Sequence, residues 1–422
     1  MSKKKYYINS FFAGIGGFDI AFEKHGFKTI YLCEINPFCK EVLKEHWPSI
    51  KIGDDICKVH ANEIPNSTVW CGGFPCQDIS VARGASKRRG LNGERSGLFY
   101  TFAKLIEDCK PQVVLLENVE GLFSSNNGRD FGIILQTMSK LGYSVAWRLL
   151  NSRYFGVPQS RTRVYLCCWK NSLSSSAKVM FESQGASELK HERAGFITPT
   201  NKPGLFPQVP EVSYCLQASS GRHTGTDWSR TYVVCEDGVR RLTPSESERV
   251  QGFPTNWTLP ISNTSLNEDE IDTLRYTAVG NAVSVPVVEW IAKRIYKELS
   301  SNSFITTDEI SSYIPEFSNS KWSEDFLLNT DFTDITKSFK WPIAGIAWEG
   351  KFIGGKVSPA PSKIIKSSLL ALIDENTAPA RYYISPNAAE GILRRVDRQG
   401  RKLFPPLREA LEKESIKNKQ YD

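Results

Sequence analysis

The sequence predicts an α/β protein with a doubly wound, mostly parallel sheet, a smaller irregular β-rich domain and a C-terminal extension. Short apolar runs alternate with helix-periodic segments from Tyr6 to about Lys170, which is typical of parallel strands joined by crossover helices. Around residues 171–177 the composition turns serine-rich and helical periodicity fades. The 422-residue chain exceeds the roughly 250–300 residues at which single cores stop growing, so we expect several domains.

Apolar runs and helical periodicity place the elements of the first domain in chain order. The predicted strands are 7–12, 29–33, 68–71, 113–117 and 163–169, and the predicted helices are 17–25, 37–46, 97–108 and 129–141. Pro111 and Gly142 mark the joins between elements.

Later segments predict the remaining domains. Thr243 is expected to cap a helix that starts at Pro244, because Glu246 follows three residues after the cap. An apolar helix is predicted from Pro286 to about residue 299. The predicted domains are 1–170, 171–258 with a variable part at about 171–238, a return to the first domain at 259–300, and an extension at 301–422.

Composition excludes some classes of protein and leaves others open. The 53 basic and 46 acidic side chains give a net charge of +7, which is compatible with a polyanionic partner without requiring one. The ten cysteines are scattered without a paired framework, so we expect a reduced, intracellular setting. Zinc-type ligand spacing and apolar runs of about 18 residues are both missing, so neither a metal nor a membrane span is predicted.

Two short motifs indicate covalent chemistry. Residues 72–77 read GGFPCQ, and residues 117–119 read ENV at the end of a predicted strand. A thiol after a proline, with a carboxyl group from another strand, suits attack on an electron-poor ring with protonation of that ring. Taken singly, Pro-Cys pairs occur by chance, and a lone glutamate is often a solvated strand end.

A third motif, FAGIGGF at residues 12–18, joins the first strand to the first helix. Such turns bring the backbone close to a ligand, but the glycine spacing differs from the GxGxxG dinucleotide fingerprint, so a nicotinamide cofactor is disfavoured. Glu34 ends the second strand and could accept two ribose hydroxyls, while Asp55 and Ile56 could meet an adenine. The absence of a phosphate cradle points to S-adenosylmethionine, although strand-end acids can also be merely solvated.

In these motifs the chain resembles the DNA cytosine-C5 methyltransferases of bacteria and phages. The three motifs, QSRTR at 159–163, the segment 241–254 and Gly280-Asn281 occur in that family's order over about residues 6–300. The resemblance implies a methyltransferase fold, S-adenosylmethionine as cofactor and a flipped cytosine in double-stranded DNA as substrate. It also implies that 171–238 reads the DNA sequence.

The resemblance also implies roles for individual residues. Cys76 would add to cytosine C6, Glu117 would engage N3 as an acid whose pKa is raised by partial burial, and Arg163 would contact O2. Gln159 and Arg161 are expected to hold local structure or the DNA backbone. The catalytic group as a whole is Cys76, Glu117, Arg163, Pro75, Asn118, Arg161 and Gln159.

Two larger sets follow from the same resemblance. The residues expected at the cofactor are Phe12, Gly14, Ile15, Gly16, Gly17, Glu34, Ile35, Asp55, Ile56, Pro75, Leu98, Asn281, Ala282 and Val283. The residues expected at DNA, from a basic lid after Cys76 and from the variable region, are Gln77, Ser80, Arg83, Lys87, Arg88, Arg89, Arg95, Arg222, Thr224, Thr226 and Arg230.

Two rival functions stay open at this stage. An RNA cytosine-C5 methyltransferase would use the same motifs, and a DNA-binding regulator could retain the fold without the reaction. We expect a monomeric enzyme of the bacterial cytoplasm or nucleoid, or a phage product, with any cognate restriction endonuclease acting separately. The extension has no derived role; our hypothesis is nonspecific DNA contact by the basic helical patch at 393–398.

Overall fold

The computed structural model describes residues 5–74, 97–189, 193–198, 200–202, 204–221, 227–259, 266–301, 304–374 and 378–417. The chain divides into two compact units. The first unit contains Met1–Asn151, Thr162–Leu189 and Val287–Ile364, and the second contains Ser152–Arg161, Lys190–Pro286 and Ile365–Asp422.

Within the described residues, the first unit is built on a nine-stranded sheet. Its strands are β1 (Tyr6–Phe11), β2 (Phe27–Cys33), β3 (Ile52–Gly53), β4 (Val69–Gly72), β5 (Val113–Val119), β6 (Tyr143–Asn151), β7 (Thr162–Lys170), β10 (Ala344–Trp348) and β11 (Lys351–Gly355). They lie in the order β11-β10-β6-β7-β5-β4-β1-β2-β3.

Strand direction confirms the predicted α/β class. β1 to β5 pair in parallel with one another, and β7 is antiparallel to both β5 and β6. β10 and β11 continue the sheet from β6 in antiparallel pairs. In the described sheet, β1 to β6 and β11 therefore share one direction, and the carboxyl ends of β1, β2, β4 and β5 meet at one edge.

The helices and the remaining strands are as follows. The first unit has α1 (Gly17–Glu23), α2 (Pro37–His46), α3 (Leu98–Cys109), α4 (Arg129–Lys140), α5 (Leu173–Met180), most of α8 (Val285–Glu298), α9 (Ile310–Tyr313) and α10 (Phe326–Asn329). The second has β8 (Tyr232–Val234), β9 (Val239–Arg241), α6 (Pro244–Gln251), α7 (Glu268–Asn281), α11 (Pro386–Arg398) and α12 (Pro405–Ile416). No helix among these described segments is long and apolar enough to cross a bilayer.

The observed units differ from the predicted domains at four places. Residues 152–161, predicted within the first domain, belong to the second unit. Residues 171–189, predicted to open the recognition domain, belong to the first unit, and the return to that unit begins at Val287 rather than at residue 259. The predicted extension is not a separate body, because its first half supplies β10 and β11 and its second half joins the second unit.

The extension completes the apolar core beside β6. Trp147 on β6 is fully buried and donates its indole N–H to the carbonyl oxygen of Pro342 at 3.0 Å. Phe131 on α4 packs edge-on against both Trp147 and Trp341, with ring centroids 5.5 and 5.3 Å apart. Burying each such ring removes about 150–250 Å² from water, so these residues stabilise the sheet as core side chains do.

Candidate active site

The turn between β1 and α1 lies at the carboxyl edge of the sheet and has an unusual backbone conformation. Phe12, Gly14 and Gly16 have φ angles of +51°, +56° and +80°. At Gly16 a side chain is excluded, because a Cβ atom would lie 2.3 Å from the ring of Trp47. Phe12 adopts this left-handed conformation despite its side chain, a form of backbone strain that is concentrated at functional sites.

Glu34 closes the same turn from the end of β2. Its Oε2 accepts the N–H of Gly14 at 2.7 Å, and its Oε1 accepts the N–H of Asn36 at 2.7 Å. A carboxylate oxygen has two acceptor sites, so each oxygen can still accept a hydroxyl proton. The two hydrogen bonds therefore fix the carboxylate in an orientation suited to a ribose diol.

The apolar surface beside Glu34 comes from Ile35 rather than Ile56. Ile35 is 63% exposed, whereas Ile56 is 5% exposed and lies in the main hydrophobic core. The expected contact of the Ile56 side chain with an adenine stays a prediction. Asp55 follows β3 and its side chain accepts the N–H of Cys57 at 3.0 Å, which fixes that carboxylate as well.

The other predicted cofactor residues of the first unit lie in or near its core. Ile15 and Gly17 are buried in and after the turn, and Leu98 begins α3 and packs against the core. The two oriented carboxylates and the exposed isoleucine of this edge fit the recognition of an adenosine moiety, so the chemistry of the residues is compatible with S-adenosylmethionine.

Asp19 is a buried acid beneath this turn. Its Oδ1 accepts the hydroxyl of Thr29 at 3.3 Å. Burial raises the pKa of Asp19 from 3.8 to about 7, and hydrogen bonds from Ser10 and Thr29 offset part of that rise. Because the folded protein binds this proton more tightly than the unfolded chain, the contribution of Asp19 to stability is complete below about pH 4 and is lost as the pH rises through about 7.

We therefore expect Asp19→Asn, which resembles the protonated acid, to flatten the pH dependence of stability. Between pH 4 and 7 the parent should lose unfolding free energy relative to the variant, by up to about 1.4 kcal/mol per pH unit. Urea unfolding over a pH series measures this, with the exposed Asp308→Asn as the matched control. Parallel curves for the parent and Asp19→Asn would contradict the assignment.

Glu117 and Arg163 form an ion pair at the end of β5. Arg163 Nε lies 3.3 Å from Glu117 Oε1, and Arg163 Nη1 also donates to the carbonyl oxygen of Thr162 at 2.8 Å. In the antiparallel register Arg163 pairs with Val119 and Glu117 pairs with Tyr165, so the two side chains are diagonal neighbours on one face. The side chain of Glu117 is 11% exposed and that of Arg163 is 17% exposed.

The backbone that leads to the predicted nucleophile runs beside this pair. A Cβ atom on Gly73 would lie 3.3 Å from Glu117 Oε2, so the glycine lets the chain pass close to the carboxylate. Asn118, on the opposite face of β5, is 2% exposed and its side-chain oxygen accepts the N–H of Val119 at 2.8 Å. The first unit thus brings together a carboxyl group and a guanidinium group near the end of β5.

Several predicted residues lie outside the part of the chain that the structure describes. They are Pro75, Cys76, Gln77, Ser80, Arg83, Lys87, Arg88, Arg89, Arg95, Arg222, Thr224 and Thr226. Their roles stay predictions.

Gln159 and Arg161 belong to the second unit, and their contacts favour the structural interpretation. Gln159 is fully buried and donates to Gln251 Oε1 at 2.5 Å, while its own oxygen accepts the N–H of Leu216 at 3.0 Å. Arg161 is 3% exposed and donates to the carbonyl oxygens of Leu216 at 3.1 Å and Ala282 at 2.8 Å. These hydrogen bonds support the expected role of both residues in holding local structure, and their place in the catalytic group stays a prediction.

Gln251 is a residue that the sequence reasoning missed, although it lies within the segment 241–254. It is fully buried and donates to the carbonyl oxygens of Val279 at 3.1 Å and Ala282 at 2.7 Å. At Gly280 a Cβ atom would lie 2.2 Å from the backbone of Gln217. Gln251, Arg161 and this close approach therefore fix the backbone on both sides of Asn281, whose own side chain is exposed.

Three further predicted residues lie in the second unit. Ala282 and Val283 are 8% and 7% exposed, and their predicted place at the cofactor stays a prediction. Arg230 donates to the carbonyl oxygens of Ser219 at 2.6 Å and Ser220 at 3.3 Å, so it holds the loop at residues 219–220. Among the described residues there is no cluster of three potential metal ligands.

Comparisons with known proteins agree with this arrangement. The chain is 33% identical over 308 residues to the type II methyltransferase M2.BsuMI of Bacillus subtilis, covering 70% of this chain and 77% of that protein. It is 32% identical over 301 residues to M.MspI of a Moraxella species, covering 67% and 69%. The Dnmt2 methyltransferase structure from S. pombe shares the fold with a TM-score of 0.53 at 18% identity, covering 70% of this chain and all of that chain.

A family model for C-5 cytosine-specific DNA methylases matches residues 6–203 and 204–297. This match includes the β1–α1 turn, Glu117, Arg163 and the segment around Gly280, and it stops before β10. The chain therefore belongs to the C-5 cytosine-specific DNA methylase family and is a DNA cytosine-5 methyltransferase.

Proposed function

We propose that this protein transfers a methyl group from S-adenosylmethionine to C5 of a flipped-out cytosine within one short sequence of double-stranded DNA. The observation that carries the proposal is the contact between Glu117 and Arg163 at the end of β5, beside the backbone of Gly73. The type II methyltransferases to which the chain is similar support a role in restriction-modification, or in self-protection of a phage.

Cys76 begins the reaction in this proposal. Cytosine C5 is a weak nucleophile until a thiolate adds at C6, so the Cys76 sulfur forms a bond to C6 and the displaced electron pair moves toward N3 and O2. Glu117 gives a proton to N3, and Arg163 stays charged throughout and balances the negative charge at O2. A target base inside a duplex is out of reach, so the cytosine must leave the stack first.

When bound, S-adenosylmethionine would supply C5 with an electrophilic methyl group from its sulfonium sulfur, and the S–CH3 bond would break to leave a neutral thioether. Residues of the β1–α1 turn, Glu34 and Ile35 would hold the adenosine moiety. Loss of the C5 proton to a base then restores the ring as the C6–S bond breaks, the Cys76 thiolate leaves, and the N3 proton returns to Glu117. Atoms and charges balance without a redox partner.

Covalent trapping tests the proposal. A duplex carrying 5-fluorocytosine at the target position should form a stable adduct with the parent, because fluorine at C5 prevents the final elimination. Cys76→Ser should abolish the adduct and lower the rate of methyl transfer by about 10²–10⁴-fold, the range typical of losing a catalytic group. The control Cys57→Ser, at an exposed thiol, should keep both the adduct and the parental rate. Methyl transfer by Cys76→Ser at the parental rate would overturn the covalent route.

A comparison of nucleic-acid substrates distinguishes a DNA methyltransferase from an RNA methyltransferase. Methyl uptake from labelled S-adenosylmethionine should occur on duplex DNA and not on transfer RNA, and bisulfite sequencing of DNA from cells that express the chain should show 5-methylcytosine in one short motif. Uptake confined to transfer RNA would replace the DNA substrate without altering the chemistry at Cys76.

A further inference from the structure

The second half of the extension forms part of the core that supports β8 and β9. The buried residues of this core come from the hairpin, namely Tyr232, Val234 and Val239, and from the extension, namely Ile384, Ala389, Ile392, Val396, Leu403, Phe404, Leu407 and Leu411. The N–H of Ile384 also donates to the carbonyl oxygen of Val239 at 2.8 Å. A two-stranded hairpin is marginal alone in water, so α11 and α12 are structural parts of this unit.

The end of α11 carries an exposed cluster of positive charge. We define the C-terminal basic edge as Arg394, Arg398, Arg401 and Lys402, all of which are exposed. The neighbouring acid Asp397 is paired with Arg408 at 2.8 Å, and Glu390 is the other acid on α11. The edge therefore concentrates positive charge over nine residues of chain.

Contacts place this edge beside residues 227–229, within the predicted variable part. The guanidinium of Arg401 lies over the indole ring of Trp228, 4.3 Å from its centroid. α11 also contacts the short turn Asp227–Ser229. This turn follows directly on residues 222–226, which contain three of the predicted base contacts.

We propose that the C-terminal basic edge binds backbone phosphates of the DNA that flank the recognised sequence. This inference rests on the proposed function and adds a contact surface that lies beyond the matched family region, which ends at residue 297. Phosphate contacts fix the register of a protein on the duplex without reading bases. The C-terminal basic edge contacts the turn that directly follows the predicted base contacts, which is the placement needed for that role.

Deletion of the extension is unsuitable as a test, because it removes part of both cores. Charge neutralisation at exposed positions leaves the cores intact, so the test variant is the triple Arg394→Gln, Arg398→Gln and Lys402→Gln. Arg401 is kept because it packs on Trp228. The matched control neutralises three exposed lysines of the first unit, Lys293, Lys297 and Lys351.

The measurement is the dissociation constant for a short random-sequence DNA duplex, determined by fluorescence anisotropy over a range of salt concentrations. Each lost phosphate contact should reduce the slope of log affinity against log salt by about 0.9, so the triple variant should lose about two to three units of slope. The control triple should keep the parental slope. The single variant Lys402→Glu, in the loop after α11, should lose about one unit and covers the case in which the triple variant folds poorly.

The possible outcomes separate this inference from the proposed function. If the parent methylates DNA and the slopes of the triple variant and Lys402→Glu equal that of the parent, the basic edge has no phosphate contacts and only this inference fails. If the parent neither binds nor methylates duplex DNA, both proposals fail. A reduced slope with an unchanged methylated motif in bisulfite sequencing supports backbone contact rather than base reading.

Discussion

Glu117→Gln is expected to lower the turnover number for cytosine methylation by about 10²–10⁴-fold, the range typical of losing a general acid. Glutamine keeps the shape of the side chain and can accept a hydrogen bond from the exocyclic amine, but its amide cannot transfer a proton to N3. The negative charge that develops after thiol addition would then be balanced by Arg163 alone. Steady-state transfer of labelled methyl groups to duplex DNA measures the loss.

Glu120→Gln is the matched control for this variant. Glu120 lies three residues further along the chain, is exposed, and begins the Glu120–Gly128 turn segment. The control should keep parental turnover, and both variants should bind S-adenosylmethionine with parental affinity. Parental turnover in Glu117→Gln would exclude this carboxyl group as the proton donor.

Arg163 Nε lies 3.3 Å from Glu117 Oε1, so substitutions of the two residues should have coupled effects on the rate. Groups that act as one unit are not additive in their effects on rate. The double variant Glu117→Gln with Arg163→Lys should therefore be less impaired than the product of the two single losses. Simple multiplication of the losses would show that the two side chains act independently.

Local signals explain why much of this site could be predicted from the sequence. β1, β2, β4, β5 and β7 begin within two residues of their predicted starts, because each is a short apolar run between polar joins. The capping box of Thr243 and Glu246 is present as predicted. Glu34 follows β2, Glu117 lies near the end of β5 and Arg163 lies near the start of β7, so locating the strands also locates these residues.

Features that depend on distant partners could not be predicted in the same way. β6 was missed; it contains Arg148 and Asn151, polar residues at buried positions. The structural roles of Gln159 and Arg161 depend on Gln251 and on residues near 216 and 280, up to 121 positions away. α7 is an exception, since Asn267 and Glu270 form a capping box that was readable in the sequence and was overlooked.

Arg148 is a buried residue whose contribution to stability depends on partners that are distant in the sequence. Its side chain is 1% exposed and donates to the carbonyl oxygens of Met180 at 3.1 Å, Ser358 at 3.0 Å and Ala360. Glu182, itself largely buried, lies 3.8 Å away. Burial lowers the pKa of Arg148 to about 10, with Glu182 opposing that shift, so the guanidinium stays charged at neutral pH.

Arg148→Met should therefore lower the free energy of unfolding of the first unit by about 3–5 kcal/mol, the range for breaking a buried ion pair by removing one partner. Methionine fills much of the volume, but three carbonyl oxygens lose this donor and Glu182 loses a nearby cation, while it still accepts hydrogen bonds from Ser362 at 2.8 and 2.7 Å. Denaturant unfolding followed by tryptophan fluorescence measures the change.

Graded variants distinguish the loss of charge from the loss of hydrogen bonds. Arg148→Lys keeps the charge without the planar fork of donors, so its loss should lie between those of the parent and Arg148→Met. Lys293→Met, which removes an exposed cation from α8 in the same unit, should change stability by less than about 0.5 kcal/mol. If Arg148→Met were as stable as Lys293→Met, the hydrogen bonds and the charge of this guanidinium would make no measurable contribution to the stability of the first unit.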